Sequence, residues 1–406
     1  MKRIALICFC FLTFTVSSYA QAPSSAVYLI ERAVDLLAGQ YAGFAKFDLP
    51  ALEKTAKDKL ASICKDTPNC DYKQGIPVLD QLISSLGDGH TFRMSALRRA
   101  EFDANAANRP ILGVGMKFAP LPDAPALVVT RVLENSPAAL AGIKRGDVIL
   151  GANGNLNRFK NAAEAMVAIT ELEASAPSIL FELPDSRLIK LEPKKIGPWL
   201  PTLEIVNNIA IITFYQYLTP LVAARVQDHI RTALNSKAII LDVRGSGGGS
   251  AFESIGSAGG FTEPVGTTFE SKNGSGGYEF RDGVLKSNGF AVWNLSPFTR
   301  FDKNKPVLVL TNHISRSAAE YMTYFLQRPG RATVLGERTA GVLNTSTGLY
   351  NLPDGSTLAI TAARSSSLDG IPHPEFVTPN IEMLDDMGAL SRGQDKILEK
   401  AFEMLR

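Results

Sequence analysis

From residue 209 onward, short apolar runs alternate with helical patterns, and that alternation limits the possible folds more than any other feature of the chain. Ile209–Phe214, Ala238–Val243, Pro306–Leu310 and Thr333–Leu335 read as strands, while Pro220–Ala233 and Ser317–Gln327 between them read as helices. Strands this continuously apolar have no water-facing side, so they imply a largely parallel sheet with helices on its faces. Ligands of such sheets gather at the carboxyl ends of the strands. Residues 244–290 are rich in Gly and Ser, and part of that stretch is expected to be mobile.

Upstream the texture differs twice. Residues 24–86 place apolar side chains three and four apart, as in Val27–Leu37, Leu52–Ile63 and Val78–Leu86, which predicts helices. A polar stretch with Asn105, Asn108 and Pro110 marks a boundary. Leu127–Leu133 and Ser178–Leu183 then read as strands and Ala162–Ile169 as a helix, a β-rich module of about 85 residues. The predicted division is a leader at 1–20, a helical domain at 21–108, a β-rich module at 109–198, an α/β core at 199–385 and a C-terminal helix at 386–406. A chain of 406 residues exceeds one compact core, in keeping with this multidomain α+β and α/β reading.

The leader is basic at Lys2-Arg3, apolar from Ile4 to Val16 and small around Ala20, the pattern of a cleaved secretory signal and hence of a periplasmic or secreted protein. No later segment is long and apolar enough to span a bilayer. The full chain has 42 Lys+Arg and 40 Asp+Glu; loss of Lys2 and Arg3 leaves 40 of each. That balance excludes a basic nucleic-acid-binding surface as the chain's main feature. Cys64 and Cys70 remain after cleavage. In an oxidising compartment they are expected to form a disulfide around Thr67-Pro68-Asn69, with two buried thiols as the alternative. No His flanks them at zinc-ligand spacing, and no metal or cofactor is expected.

Three constellations could carry chemistry. Asn312-His-Ile-Ser-Arg-Ser-Ala-Ala-Glu320 lies at a strand-to-helix junction, where Ser317 could be presented at the sheet edge or could simply cap the helix. Leu241-Asp-Val-Arg-Gly-Ser-Gly-Gly-Gly249 runs a buried strand into glycines, either a flexible turn or a backbone close to a ligand. Gly87-Asp-Gly-His90-Thr-Phe92 presents one of only four histidines, the others being His229, His313 and His373. On its own, a loop histidine of this kind is most often a solvated bystander.

Taken in order, these motifs resemble the carboxyl-terminal processing (tail-specific) peptidase clan. The resemblance rests on Ser317-Ala-Ala-Glu320, Gly330–Gly341 and Pro353–Leu358, with Asp242–Gly249 at the clan's glycine motif. Gly113-Val-Gly115, followed by Glu134–Ile149, resembles a PDZ domain. The order covers nearly the whole chain after the leader and implies a crotonase-like or ClpP-like core. Tail-specific members pair the serine with a lysine 25 residues later; here Val342 stands there, and no lysine lies between Lys305 and Lys396. The chain is therefore more similar to the tricorn-core and interphotoreceptor-retinoid-binding-protein-like branch, whose active members draw a histidine from the segment before the PDZ domain.

That resemblance implies an exported serine endopeptidase with Ser317 as nucleophile and His90 as general base. It implies Glu375 as the supporting acid, with the register off by about two residues and His373 as the alternative occupant. The amides of Gly247, Gly248 and Ala318 are the expected oxyanion donors. Leu112, Gly113, Val114 and Gly115 are the expected peptide-carboxylate loop of the PDZ module, which otherwise serves as a scaffold. Expected partners are peptides or unfolded proteins. The rival implication is an inactive scaffold gripping peptides or an apolar ligand; an esterase shares the same acyl-transfer machinery.

Overall fold

The computed structural model describes residues 24–67, 69–122, 124–153 and 162–406; the expected leader lies outside them. Three helices open the chain: Ser25–Gln40, Leu49–Cys64 and Tyr72–Ser84. Each has a side-chain cap, from Ser24, Asp48 and Asp71 respectively. Their apolar stripes bury Leu29, Ile30, Leu60 and Leu79 together with Leu358 and Ile360 of the long strand Thr357–Ser366. Each fully buried side chain contributes about 2 kcal/mol. Cys64 and Cys70 are disulfide-bonded at the end of the second helix.

Residues 21–108 do not close on themselves, contrary to their reading as a separate domain. Phe92–Met94, just after His90, pairs antiparallel with Thr357–Ser366 and places Phe92 opposite Ala359. The helices' apolar face is satisfied by that distant strand, which local periodicity could not reveal. The polar stretch at Asn105 begins inside a helix. It ends the helix Ala96–Ala106, and Asn105 is buried with Oδ1 accepting from Gln216 Nε2 at 3.1 Å.

The β-rich module holds two three-stranded sheets, Met116–Pro120 with Leu127–Val132 and Val148–Ile149, and Gly151–Ala152 with Ile179–Glu182 and Leu188–Leu191. The helix Ala162–Ser175 packs beside them over Leu127, Ile149 and Phe181. Its entry and exit strands, Ile111–Gly113 and Lys194–Ile196, pair with each other and bring the module's ends together.

The core sheet has six strands in the order Thr202–Val206, Ile209–Thr213, Ala238–Asp242, Val307–Thr311, Thr333–Gly336 and Ile381–Glu382, and all pairings after the first are parallel. Helices Val222–Thr232, Ala251–Gly259 and Ala318–Gln327 cover one face. Lys396–Met404 covers the other with Ile397 and Ala401. Burial on both faces explains the unbroken apolar strands. The Gly- and Ser-rich stretch expected to be mobile instead forms the helix Ala251–Gly259 and the strands Val265–Ser271, Gly274–Arg281 and Val284–Ser287. These belong to a second, seven-stranded sheet that also takes in Phe290–Asn294, Thr345–Asn351, Thr357–Ser366 and Phe92–Met94. Among the described residues no helix is long and apolar enough to cross a membrane.

Candidate active site

Ser317 sits where the parallel strand Val307–Thr311 turns into the helix Ala318–Gln327. Its backbone has φ 53° and ψ −115°, a conformation a non-glycine residue holds only when its surroundings impose it. Glu320 imposes it. The fully buried Glu320 carboxylate accepts from Ser317 N at 2.7 Å, Thr339 Oγ1 at 2.7 Å, Gly341 N at 2.9 Å and Val342 N at 3.2 Å. One side chain thus pins the Ser317 turn to the loop after the next strand. Of the two serines in the turn, Ser315 is structural: it is buried, donates to Val243 O and accepts from Asn312 N. Ser317 is half-buried and reachable.

The glycine loop lies against the same turn. Gly248 has φ +89°, and a Cβ there would come within 2.8 Å of Ser317 Cβ and Arg316 O and within 3.2 Å of Ala318 N. Only glycine allows this approach. Arg316 N donates to Ser246 O at 3.1 Å, locking loop to turn. Among the described residues, the amides of Gly247, Gly248 and Ala318 donate to no protein acceptor, and the last is the first N–H of its helix. Of the three expected oxyanion donors, Gly248 and Ala318 lie beside Ser317, and Gly247 precedes them in the loop.

His90 arrives from the other end of the chain. Its turn is closed by Asp88, which accepts from His90 N at 2.9 Å and Thr91 Oγ1 at 3.0 Å. The guanidinium of Arg316, the residue before Ser317, donates to the carbonyl of Gly89, the residue before His90, at 2.5 Å. The same guanidinium lies over the Phe92 ring at 5.7 Å. Two segments 227 positions apart are thereby fastened together at the residues directly before Ser317 and His90, while the His90 ring bonds to Thr345 and not to Ser317. His90 is 4 % exposed, and burial, with Arg316 adding to it and Asp88 opposing, pushes its pKa down to about 4. Its Nδ1 lies 2.8 Å from Thr345 Oγ1.

Glu375 does not reach His90. It is exposed, and its side chain lies beside Gly341 instead, with its backbone carbonyl accepting from Leu343 N. Nor does His373, which is buried among Tyr321, Tyr324 and Phe325 with Nδ1 3.3 Å from Ser365 Oγ. Thr345 occupies the position at Nδ1, and nothing in the sequence around it marks it out. Glu320 did carry a signal, the three-residue spacing of a capping box. Val342, at the position of the clan's lysine, is buried near Gly89.

A cavity of about 380 Å³ is lined by Ser250, Phe252, Phe269, Tyr278, Ser346 and Ala363 among others, and by neither Ser317 nor His90. Ser250 follows the glycine loop, Ser346 follows Thr345, and Phe269 packs against Tyr321 of the nucleophile helix. In the β-rich module, Gly115 has φ +83°, and Val114 N donates to Glu173 Oε1 at 2.8 Å. A carboxylate of the chain itself therefore takes up an amide of the expected peptide-carboxylate loop. Burial pushes Glu173 up to about 7, against the Val114 N–H. No cluster of three or more metal-ligating side chains is present among the described residues.

Residues 208–383 match the model of peptidase family S41, and residues 128–157 match that of a PDZ domain. The chain is 28% identical over 265 residues to a carboxyl-terminal-processing protease of Picosynechococcus sp., covering 62% of this chain and 59% of that protein. It is 22% identical over 384 residues to a probable CtpA-like serine protease of Staphylococcus aureus, covering 93% of this chain and 69% of the relative. The photosystem II D1 C-terminal processing protease has the same fold, with a TM-score of 0.54 at 19% identity, covering 91% of this chain and 98% of that one. So does mature CPAF, solved with lactacystin, with a TM-score of 0.55 at 14% identity, covering 94% and 97%.

Proposed function

We propose that this chain, whose residues 208–383 match peptidase family S41 and whose residues 128–157 match a PDZ domain, is an exported serine endopeptidase that works through an acyl-enzyme on Ser317. The observation that carries the reading is the Arg316–Gly89 hydrogen bond, which ties the nucleophile turn to the His90 turn across the whole molecule. His90 Nε2 takes the Ser317 hydroxyl proton as Oγ attacks the scissile carbonyl carbon. The oxyanion formed accepts from the amides of Gly248 and Ala318, with Gly247 beside them. His90 then gives the proton to the leaving amine as the peptide bond breaks. Water, deprotonated by His90, attacks the ester carbonyl; as the C–Oγ bond breaks, His90 returns that proton to Ser317 Oγ and the new carboxyl end is released. A pKa near 4 leaves the imidazole neutral, and so able to accept a proton, throughout the neutral range.

A protein's C-terminus would enter the PDZ module at Leu112, Gly113, Val114 and Gly115 by displacing Glu173 from the Val114 amide, while the peptide adds to the sheet edge. Substrates are accordingly peptides or proteins with an accessible end.

A fluorophosphonate probe tests the catalytic reading. The folded protein is expected to be labelled on Ser317. Ser317→Ala should abolish labelling, and His90→Ala should slow it by about 10²- to 10⁴-fold. A second reading, a catalytically silent peptide-binding protein, is favoured by the lack of a carboxylate at His90. Folded protein that the probe never marks would establish that reading instead.

A further inference from the structure

We propose that the Thr345 hydroxyl holds the place that an acid holds in a serine–histidine–acid triad: it accepts the Nδ1 proton of His90 and so selects the tautomer whose Nε2 lone pair is free for Ser317. The inference deepens the reading above, since it takes His90 as the base. Thr345 Oγ1 and His90 Nδ1 are 2.8 Å apart, and the two residues are only 5 % and 4 % exposed. A threonine hydroxyl has one proton to give. Val342 O lies 3.4 Å from Oγ1 and receives that proton, which leaves the Oγ1 lone pairs to accept Nδ1–H.

Thr345 is itself held in place. It begins the strand Thr345–Asn351, opposite Arg364, and its carbonyl accepts from Tyr321 Oη of the nucleophile helix. Val342 N, in turn, is bound by Glu320 of the same helix. A closed path therefore runs from the start of the Ser317 helix through Glu320, Val342 and Thr345 to His90, and returns through Gly89 and Arg316.

A hydroxyl orients imidazole as a carboxylate does but supplies no charge to stabilise imidazolium. The charged groups that act on His90 are Asp88 on its own turn and Arg316 on the nucleophile turn; the 342–345 segment carries none. The acid limb of the pH–rate profile is therefore expected below the usual histidine range, and a carboxylate placed at 345 should move it upward.

Long-range ¹H–¹⁵N spectra of the histidine rings in the full chain at neutral pH provide the direct test, with the His90 signals assigned from His90→Gln. A proton on Nδ1 of His90 supports the proposal; a proton on Nε2 overturns it, whether or not the protein is an active enzyme. Rates of fluorophosphonate labelling test the consequence. Thr345→Val should be slower by about 10- to 100-fold, the usual cost of removing such an orienting partner. Thr345→Ser should label about as fast as the unaltered protein, and Thr345→Asp should shift the acid limb upward. If Thr345→Val labels at the unaltered rate with unchanged His90 spectra, Thr345 is a packing contact alone. If the unaltered protein is not labelled while Nδ1 carries the proton, the catalytic reading fails and the orienting contact stands.

Discussion

At the scale of single residues, the site depends on two positions that tolerate little change. Gly248 approaches Ser317 and Ala318 so closely, at φ +89°, that any side chain must displace backbone. Gly248→Ala is expected to cost about 1–3 kcal/mol of stability through strain. It should slow fluorophosphonate labelling more than its effect on stability suggests, by about 10²-fold, because the oxyanion amides move. The comparison is a urea titration beside a labelling time course. His90 and His373 are both buried and neutral, each held near 4 in the first place by burial. Unfolded histidine titrates near 6.5, so between about pH 6.5 and pH 4 the unfolded chain binds more protons than the folded one. Stability therefore falls as pH falls through that window, by up to about 3 kcal/mol for each histidine. The urea midpoint should be lower at pH 4.5 than at pH 7, and His373→Phe, which suits its aromatic neighbours, should flatten that dependence. An unchanged slope in the variant would remove His373 as a cause. Ser317 and His90 stood out in the sequence only once their motifs were taken together in order. Thr345 did not, because a threonine at the start of a strand is ordinary in sequence, and only the position of His90 gives it a role.

At the scale of elements, the helix Ala318–Gln327 does more than present Ser317. Through Glu320 it holds the loop 339–342, and so controls the side of the site where His90 and Thr345 meet. The β-rich module shows a comparable internal contact. Glu173, on the helix Ala162–Ser175, occupies the Val114 amide that an incoming carboxylate would need. Glu173→Ala frees that amide and removes a like charge, so a peptide with a free C-terminal carboxylate should bind about tenfold tighter, equivalent to about 1.4 kcal/mol. The same peptide with an amidated end should bind unchanged. Fluorescence anisotropy with the two peptides checks this, and equal gains for both would show that Glu173 is not competing with a carboxylate. Helices and buried strands could be read from periodicity. The seven-stranded sheet could not, since its strands are polar and partly exposed, and they lack the apolar continuity that marks the core sheet.

At the scale of the whole molecule, a buried ion network joins the PDZ module to the core. Arg131 of the module donates to Asp242 Oδ2 at 2.8 Å, and Arg145 donates to Asp395 Oδ2 at 2.8 Å. Arg244 binds both Asp242 and Asp395 and stands directly before the glycine loop. Burial opposes ionisation of Asp242, but the guanidiniums of Arg131 and Arg244 outweigh it and hold the carboxyl far below its ordinary range. Removing one partner leaves an uncompensated buried charge, so Arg131→Met is expected to lose about 3–5 kcal/mol. Because the lost contact lies between module and core, thermal unfolding followed by calorimetry should separate into two transitions. A single transition at the original temperature would mean that the network does not couple them.

The sequence by itself determined the parallel core sheet, the serine at a strand-to-helix turn and the glycine loop after a buried strand, because each is written in local spacing or in the chemistry of a short motif. Tertiary structure alone decided what meets what. It set Arg316 against Gly89, placed Thr345 rather than Glu375 at His90, and gave the N-terminal helices a strand from the far end of the chain for their core. The physical reason is the same in each case. Partners hundreds of residues apart are chosen by packing and hydrogen-bond satisfaction in the folded chain, and no local pattern records that choice.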